Sequence, residues 1–124
     1  MKVLNSIVSI VLLLVASGCA SLQVSGEFSS GRSALVTGNN EKALAYFYST
    51  AQKDPTYVYG TAYRQSVWSY LGRAEYATGR LPQAQQSLEK ALASNQPEDV
   101  SRLYLGLTLA RSGDRQRGLK EIEG

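Results

Sequence analysis

Apolar residues along this chain recur at helical rather than strand spacing. Ala43, Leu44, Phe47 and Ala51 fall on one stripe, and Ala84, Leu88, Ala91 and Leu92 on another, the periodicity of an amphipathic helix with one covered face. Glycines punctuate the stripes in a fixed register. Gly31 and Gly38 are seven residues apart, as are Gly72 and Gly79, and Gly106 and Gly113. The second and third pairs are offset by 34 residues, an offset that Leu71 and Leu105 share. The first pair lies 41 residues before the second, so about seven residues are inserted between those units. Gly38, Gly79 and Gly113 read as helix ends, and Asn39-Asn40, Arg80-Leu81-Pro82 and Asp114 as the turns or first turns of the helices that follow. A glycine inside a helix costs about 1 kcal/mol relative to alanine. Gly31, Gly72 and Gly106 therefore predict places where a paired helix comes too close for a side chain. Helices of about fourteen residues are marginal alone in water, so the pattern predicts an all-α chain stabilised by stacking of repeated two-helix units. The insertion, Thr56 to Arg64, carries Tyr57, Tyr59 and Tyr63. It reads as an extra turn or two at the front of the next helix, interrupted at Gly60, with tyrosines that either cover the core edge or form a contact ledge.

The residues in this register carry a resemblance. Trp68-Ser69-Tyr70-Leu71-Gly72 gives the W-x-x-L-G opening of a tetratricopeptide repeat, with Tyr76 one place later than the usual aromatic and Ala84, Leu88 and Ala91 at the small, large and small positions of the second helix. The first unit matches best in its second helix, Gly38 to Leu44, then Phe47, then Asp54-Pro55. The third keeps Leu105-Gly106 and Gly113 but has Arg102 in place of the tryptophan and Gly118 in place of the small alanine. The resemblance covers residues 25–124 and implies a right-handed superhelix of about three helix-turn-helix units. In such domains the first helix of each unit lines a groove that holds a peptide or partner helix. Register assigns to that groove Phe28, Arg32 and Leu35, then Ser69, Arg73 and Tyr76, then Leu103, Leu107 and Arg111. Arg32 and Arg73 occupy equivalent places, suited to gripping a carboxylate or backbone carbonyls. The alternative is that they are solubilising residues on an unused face. The set departs from the two-lysine, two-asparagine clamp of the chaperone-binding members.

The first eighteen residues have a different character. Met1 and Lys2 supply positive charge, an apolar run extends from Ile7 to Val15, and Ala16, Ser17 and Gly18 lead into Cys19, the one cysteine of the chain. The segment resembles a bacterial lipoprotein signal peptide, with Ala16 where such leaders favour leucine. This divides the chain into a leader, 1–18, a lipidated N-terminus and linker, 19–24, and the repeat domain. An ordinary cleaved secretory signal and an uncleaved membrane helix are the competing readings. A spanning helix needs about 20 mostly apolar residues, and this run is shorter and broken by Asn5, Ser6 and Ser9. Ala20 follows the cysteine in place of the aspartate that resembles an inner-membrane retention signal. The resemblance thus implies the bacterial cell envelope, lipid-anchored at Cys19 in the outer membrane and facing the periplasm.

Composition narrows the chemistry. Of 13 basic residues Lys2 belongs to the leader, leaving 12 against 10 acidic ones, a net charge of +2. That is too small and too scattered to imply nucleic acid or an acidic substrate. There is no histidine, which removes the commonest general base and zinc ligand. No phosphate loop, dinucleotide fingerprint or calcium loop appears. Glu98-Asp99 opens a helix and Glu121 and Glu123 lie on the terminal one, solvated structural positions. The expectation is therefore no enzyme, no metal, and no cofactor beyond a covalent lipid on Cys19. The protein is expected to be a scaffold or adaptor that holds a protein or peptide partner beside the membrane in pilus, secretion or cell-wall assembly; the alternatives are a subunit of an envelope enzyme complex and a self-associating structural lipoprotein. Leu119 and Ile122 sit on a final helix with little beyond its partner helix to cover them, a feature that admits a frayed end, a longer natural chain, or self-association and partner docking there.

Overall fold

A computed structural model describes residues 1–94 and 98–124; the side chains of residues 13–17, and with them the leader's Val15, Ala16 and Ser17, lie outside the description. The described residues are mostly helical. Helix α1 runs Lys2–Val36, α2 Asn40–Lys53, α3 Val67–Ala77, α4 Leu81–Leu92, α5 Asp99–Arg111 and α6 Arg115–Glu123. Each helix packs on the next in three pairs, α1 on α2, α3 on α4 and α5 on α6, and the pairs meet through α2–α3, α4–α5 and α3–α5.

Local sequence explains the boundaries. Asn39 caps α2 by accepting from the Lys42 amide at 3.3 Å, and Asp114 caps α6 by accepting from the Arg117 amide at 3.1 Å. Gly79 stops α3 at φ 79, a left-handed conformation that costs a side-chain-bearing residue energy; Gly38 and Gly113 are its equivalents. The other glycine set marks close helix approach. A Cβ at Gly72 would lie 2.5 Å from Leu88 Cγ, one at Gly31 2.7 Å from the Phe47 ring, and one at Gly106 2.6 Å from the Gly118 carbonyl oxygen. Gly118, the departure from alanine in the third unit, is what lets α6 approach α5 this closely.

Two apolar cores result. Phe28, Ala34, Ala43, Phe47, Ala51, Val67, Leu71 and Ala74 fill the space between α1, α2 and α3. Ala84, Leu88, Leu105 and Leu109 fill that between α4 and α5. A polar network joins the second and third pairs. Buried Glu98, at the N-cap of α5, accepts from the Ser66 amide at the start of α3 (2.9 Å) and from the Ser101 hydroxyl (2.7 Å). The Ser69 and Ser101 hydroxyls are 2.8 Å apart, and Ser69 supplies that proton because Ser101 gives its own to the carboxylate. The Glu98 carboxylate and the Ser69 and Ser101 hydroxyls are thus all paired, while the Ser66 hydroxyl is buried without a partner.

Two expectations change. The 56–64 insertion is not helical. It forms a hairpin, β1 Val58–Tyr59 paired antiparallel with β2 Gln65–Ser66, the ends joined by residues 60–64. Gly60 takes φ 103, incompatible with a right-handed helix, and the valine and tyrosines suit extended backbone. Asp54 turns the chain before it, accepting from the Thr56 amide and hydroxyl. Residues 19–24, expected as a linker, are helical and continue α1 to Val24, its first buried core residue. In the first part of α1, Val3, Leu4, Ile7, Val8, Ile10, Val11 and Leu12 are exposed. Among the described residues no helix is long and apolar enough to cross a membrane.

Candidate partner-binding face

Arginines and tyrosines from all three helix pairs form one continuous ladder. Arg32 of α1 lies 4.1 Å over the Tyr59 ring of the hairpin and donates to its hydroxyl at 2.6 Å. The Tyr59 ring meets Tyr70 of α3 edge-on at 6.3 Å. Arg73, one turn along α3, sits between the Tyr70 ring (5.1 Å) and the Tyr104 ring of α5 (5.5 Å). Tyr104 packs edge-on against Tyr76 at 5.6 Å, and Arg111 of α5 closes the series 5.3 Å over Tyr76, donating to its backbone carbonyl at 3.1 Å. The order is arginine, two tyrosines, arginine, two tyrosines, arginine. Helical spacing builds it: Tyr70, Arg73 and Tyr76 are three residues apart on α3, so they project from one side.

Of the residues that register assigns to a groove, the structure brings Arg32, Arg73, Tyr76 and Arg111 together here. Phe28 and Ser69 are corrected. Phe28 is 1 % exposed beneath rings of Phe47, Tyr57, Tyr59 and Tyr70, and Ser69 is fully buried against Ser101. Neither residue reaches the surface. Phe28 is covered by the hairpin tyrosines, which replace the expected helical turns. Leu35 is half-buried against the first core and Leu107 half-buried on α5. Leu103 lies elsewhere, exposed beside Asp99, Arg102, Ile122 and Gly124. Tyr70 and Tyr104 were missing from the sequence assignment, although they carry a signal, since they too are 34 residues apart; Tyr59 was read only as one of the insertion's tyrosines, on the core edge or on a contact ledge.

The ladder arginines stand outside the ion pairs of the surface. The ion pairs among the described residues, Lys53–Glu27, Arg80–Glu41, Arg102–Glu121 and Arg117–Glu89, involve none of the ladder arginines. Stacking on an aromatic face holds a guanidinium while leaving its in-plane N–H groups for other partners. Arg73 makes no hydrogen bond among the described residues, and its Nε is enclosed without an acceptor.

Two carboxylates depart from their ordinary titration range. Glu27 is held below the ordinary carboxylate range by hydrogen bonds from Lys53 and Ser49 that outweigh burial. Glu75 is buried on the opposite side of α3, accepting from the Ser87 hydroxyl at 2.5 Å beside an open cavity of about 360 Å³ lined by Glu41, Leu44, Tyr48 and Arg80. Burial pushes its carboxyl above the usual range, against the pull of Ser87, Lys90 and Arg80. A carboxyl so raised binds its proton more tightly folded than unfolded, so it stabilises at low pH and that contribution disappears as pH rises through its folded value. Glu75→Gln is accordingly expected to raise the thermal midpoint near neutral pH, with the gap to wild type shrinking as the pH falls into the carboxylate range. An unchanged gap from pH 4 to pH 7 would rule this out.

No protein-family profile matches the chain, and no curated protein matches it in sequence.

Proposed function

We propose that this is an envelope lipoprotein whose three helix pairs are tetratricopeptide-type units, serving as a membrane-tethered scaffold that captures a protein partner. The observation that carries this reading is the ladder, because it draws on all three helix pairs and on the hairpin while its arginines pair with no acidic side chain among the described residues. Gly31, Gly72 and Gly106, each placed where the paired helix approaches, support the assignment of the units.

Lipidation at Cys19 supplies the tether in this reading, and two or more acyl chains suffice for stable anchoring. Cys19 is exposed and stands five residues before Val24, about 8 Å of helix at 1.5 Å per residue. The helical link would keep the ladder close to the bilayer instead of letting it range freely. The apolar half of α1 before Cys19 serves as the leader.

Site-directed photo-crosslinking in intact bacteria tests the proposal. A benzoylphenylalanine at position 59, on the ladder, is expected to yield an adduct with a different protein in the membrane fraction. The same probe at Gln86, exposed on α4, is expected to yield none. With Cys19→Ser the protein and adduct are expected to leave that fraction. Adducts of equal yield from both positions, or full membrane retention of the serine variant, would count against the scaffold and the anchor respectively. An adduct consisting only of a second copy of this chain would instead favour self-association, for which the exposed Leu103, Leu119 and Ile122 at the α5–α6 end provide an apolar surface.

A further inference from the structure

The ladder also specifies the chemistry of what it would hold. We infer that it takes an acidic peptide segment in extended form, with Arg73 as the central carboxylate anchor and Arg32 and Arg111 as flanking ones. The inference rests on the reading of this face as a binding surface and adds the ligand class.

Three features argue for it. First, the charge of Arg73 is half-buried between Tyr70 and Tyr104 with no hydrogen bond or carboxylate among the described residues. Charged groups taken partly out of water are unfavourable unless paired. The two ring faces offset part of that cost and fix the plane of the guanidinium. With Nε enclosed, the terminal nitrogens are the outward donors, a fork that matches the two oxygens of a carboxylate. Second, the acids nearest in the chain are engaged elsewhere. Glu75 is held by Ser87, Glu98 by Ser66 and Ser101, and Glu27, Glu41, Glu89 and Glu121 by their own cations. None of these carboxylates pairs with a ladder arginine, so a complementary charge would come from outside the molecule. Third, the ladder is a line rather than a basin. Its successive side chains are 4.1 to 6.3 Å apart across three helix pairs, a shape suited to an extended chain.

Other anionic polymers fit less well. The tyrosine faces are occupied by arginines or by neighbouring ring edges, so they are not free to stack nucleobases. A formal net charge of +3 over 124 residues gives no broad positive field of the kind that phosphate backbones require.

Fluorescence anisotropy on the full chain in an uncharged detergent provides the test. The probes are a labelled peptide of about twelve residues alternating glutamate with glycine and serine, and its glutamine counterpart. The glutamate peptide is expected to bind roughly tenfold or more tightly, with the difference shrinking as salt rises. Arg73→Gln is expected to remove that preference. Arg111→Gln, exposed at the end of the ladder and without a role in the core, is expected to reduce it while preserving the thermal midpoint. Arg115→Gln, exposed on α6 and off the ladder, is expected to have no effect. Equal affinity for the two peptides would overturn the inference, as would an Arg115→Gln loss matching that of Arg73→Gln. Arg73-dependent binding to phosphatidylglycerol vesicles without any peptide preference would overturn it in favour of a lipid headgroup. A failure here beside a persistent position-59 adduct would reject the acidic ligand alone, leaving the scaffold reading intact.

Discussion

Phe28→Ala is expected to destabilise the fold by about 3–5 kcal/mol, the usual cost of removing a fully buried ring and leaving a cavity. The geometry places it at the upper end. Phe28 is 1 % exposed and touches four rings, with centroids at 4.8 Å to Tyr57, 4.9 Å to Tyr70, 5.3 Å to Tyr59 and 5.4 Å to Phe47. Those rings come from α2, the hairpin and α3, so no one neighbour can collapse into the space without dragging its own element. Domains of this size have only about 5–15 kcal/mol in total, and a loss of this magnitude lowers the melting midpoint by more than about 10 °C. Tyr59 would lose the ring beneath it, so the ladder should loosen at its Arg32 end as well. Denaturant unfolding of the variant decides the matter. A change below about 1 kcal/mol, typical of a surface position, would mean that Phe28 belongs to the open face after all.

Phe28 also shows where sequence reasoning reaches its limit. Periodicity and the 34-residue offset locate the all-α pairing, the helix stops at Gly38, Gly79 and Gly113, and the close approaches at Gly31, Gly72 and Gly106. Each of these depends on backbone sterics within one unit or between neighbouring helices, which repeat with the sequence. Whether a position on the first helices is open depends instead on what lies over it. At Phe28 that is the hairpin, an element present once and without a repeat to calibrate it. At Ser69 it is Ser101, drawn in by Glu98, a residue whose position before α5 suggested only a helix start. Arg73 and Tyr76 were legible because their side of α3 remains uncovered. Tyr104 was legible in principle through its offset from Tyr70, but that signal becomes meaningful only when a guanidinium is seen between the two rings.

Gly72→Leu is expected to destabilise by about 1–3 kcal/mol or somewhat more, through overpacking of the α3–α4 contact. Even a methyl group is tight there, with Leu88 Cγ at 2.5 Å, Cδ2 at 2.7 Å and the Leu88 amide nitrogen at 3.4 Å from an added Cβ. Alanine would gain about 1 kcal/mol of helix propensity against a modest shift of the Leu88 side chain, so Gly72→Ala should lie near balance. Leucine adds three more carbons in the same direction without any further gain in propensity, and the helices must separate. The decisive comparison is a double-mutant cycle with Leu88→Ala, which alone should cost about 2–5 kcal/mol by opening a cavity. If Gly72 owes its identity to Leu88, the larger side chain on α3 fills the space vacated on α4, and the double variant should be more stable than the sum of the two losses predicts, by an interaction energy of about 0.5–3 kcal/mol. Strict additivity of the two substitutions would show that the glycine is there for some reason other than the approach of the paired helix.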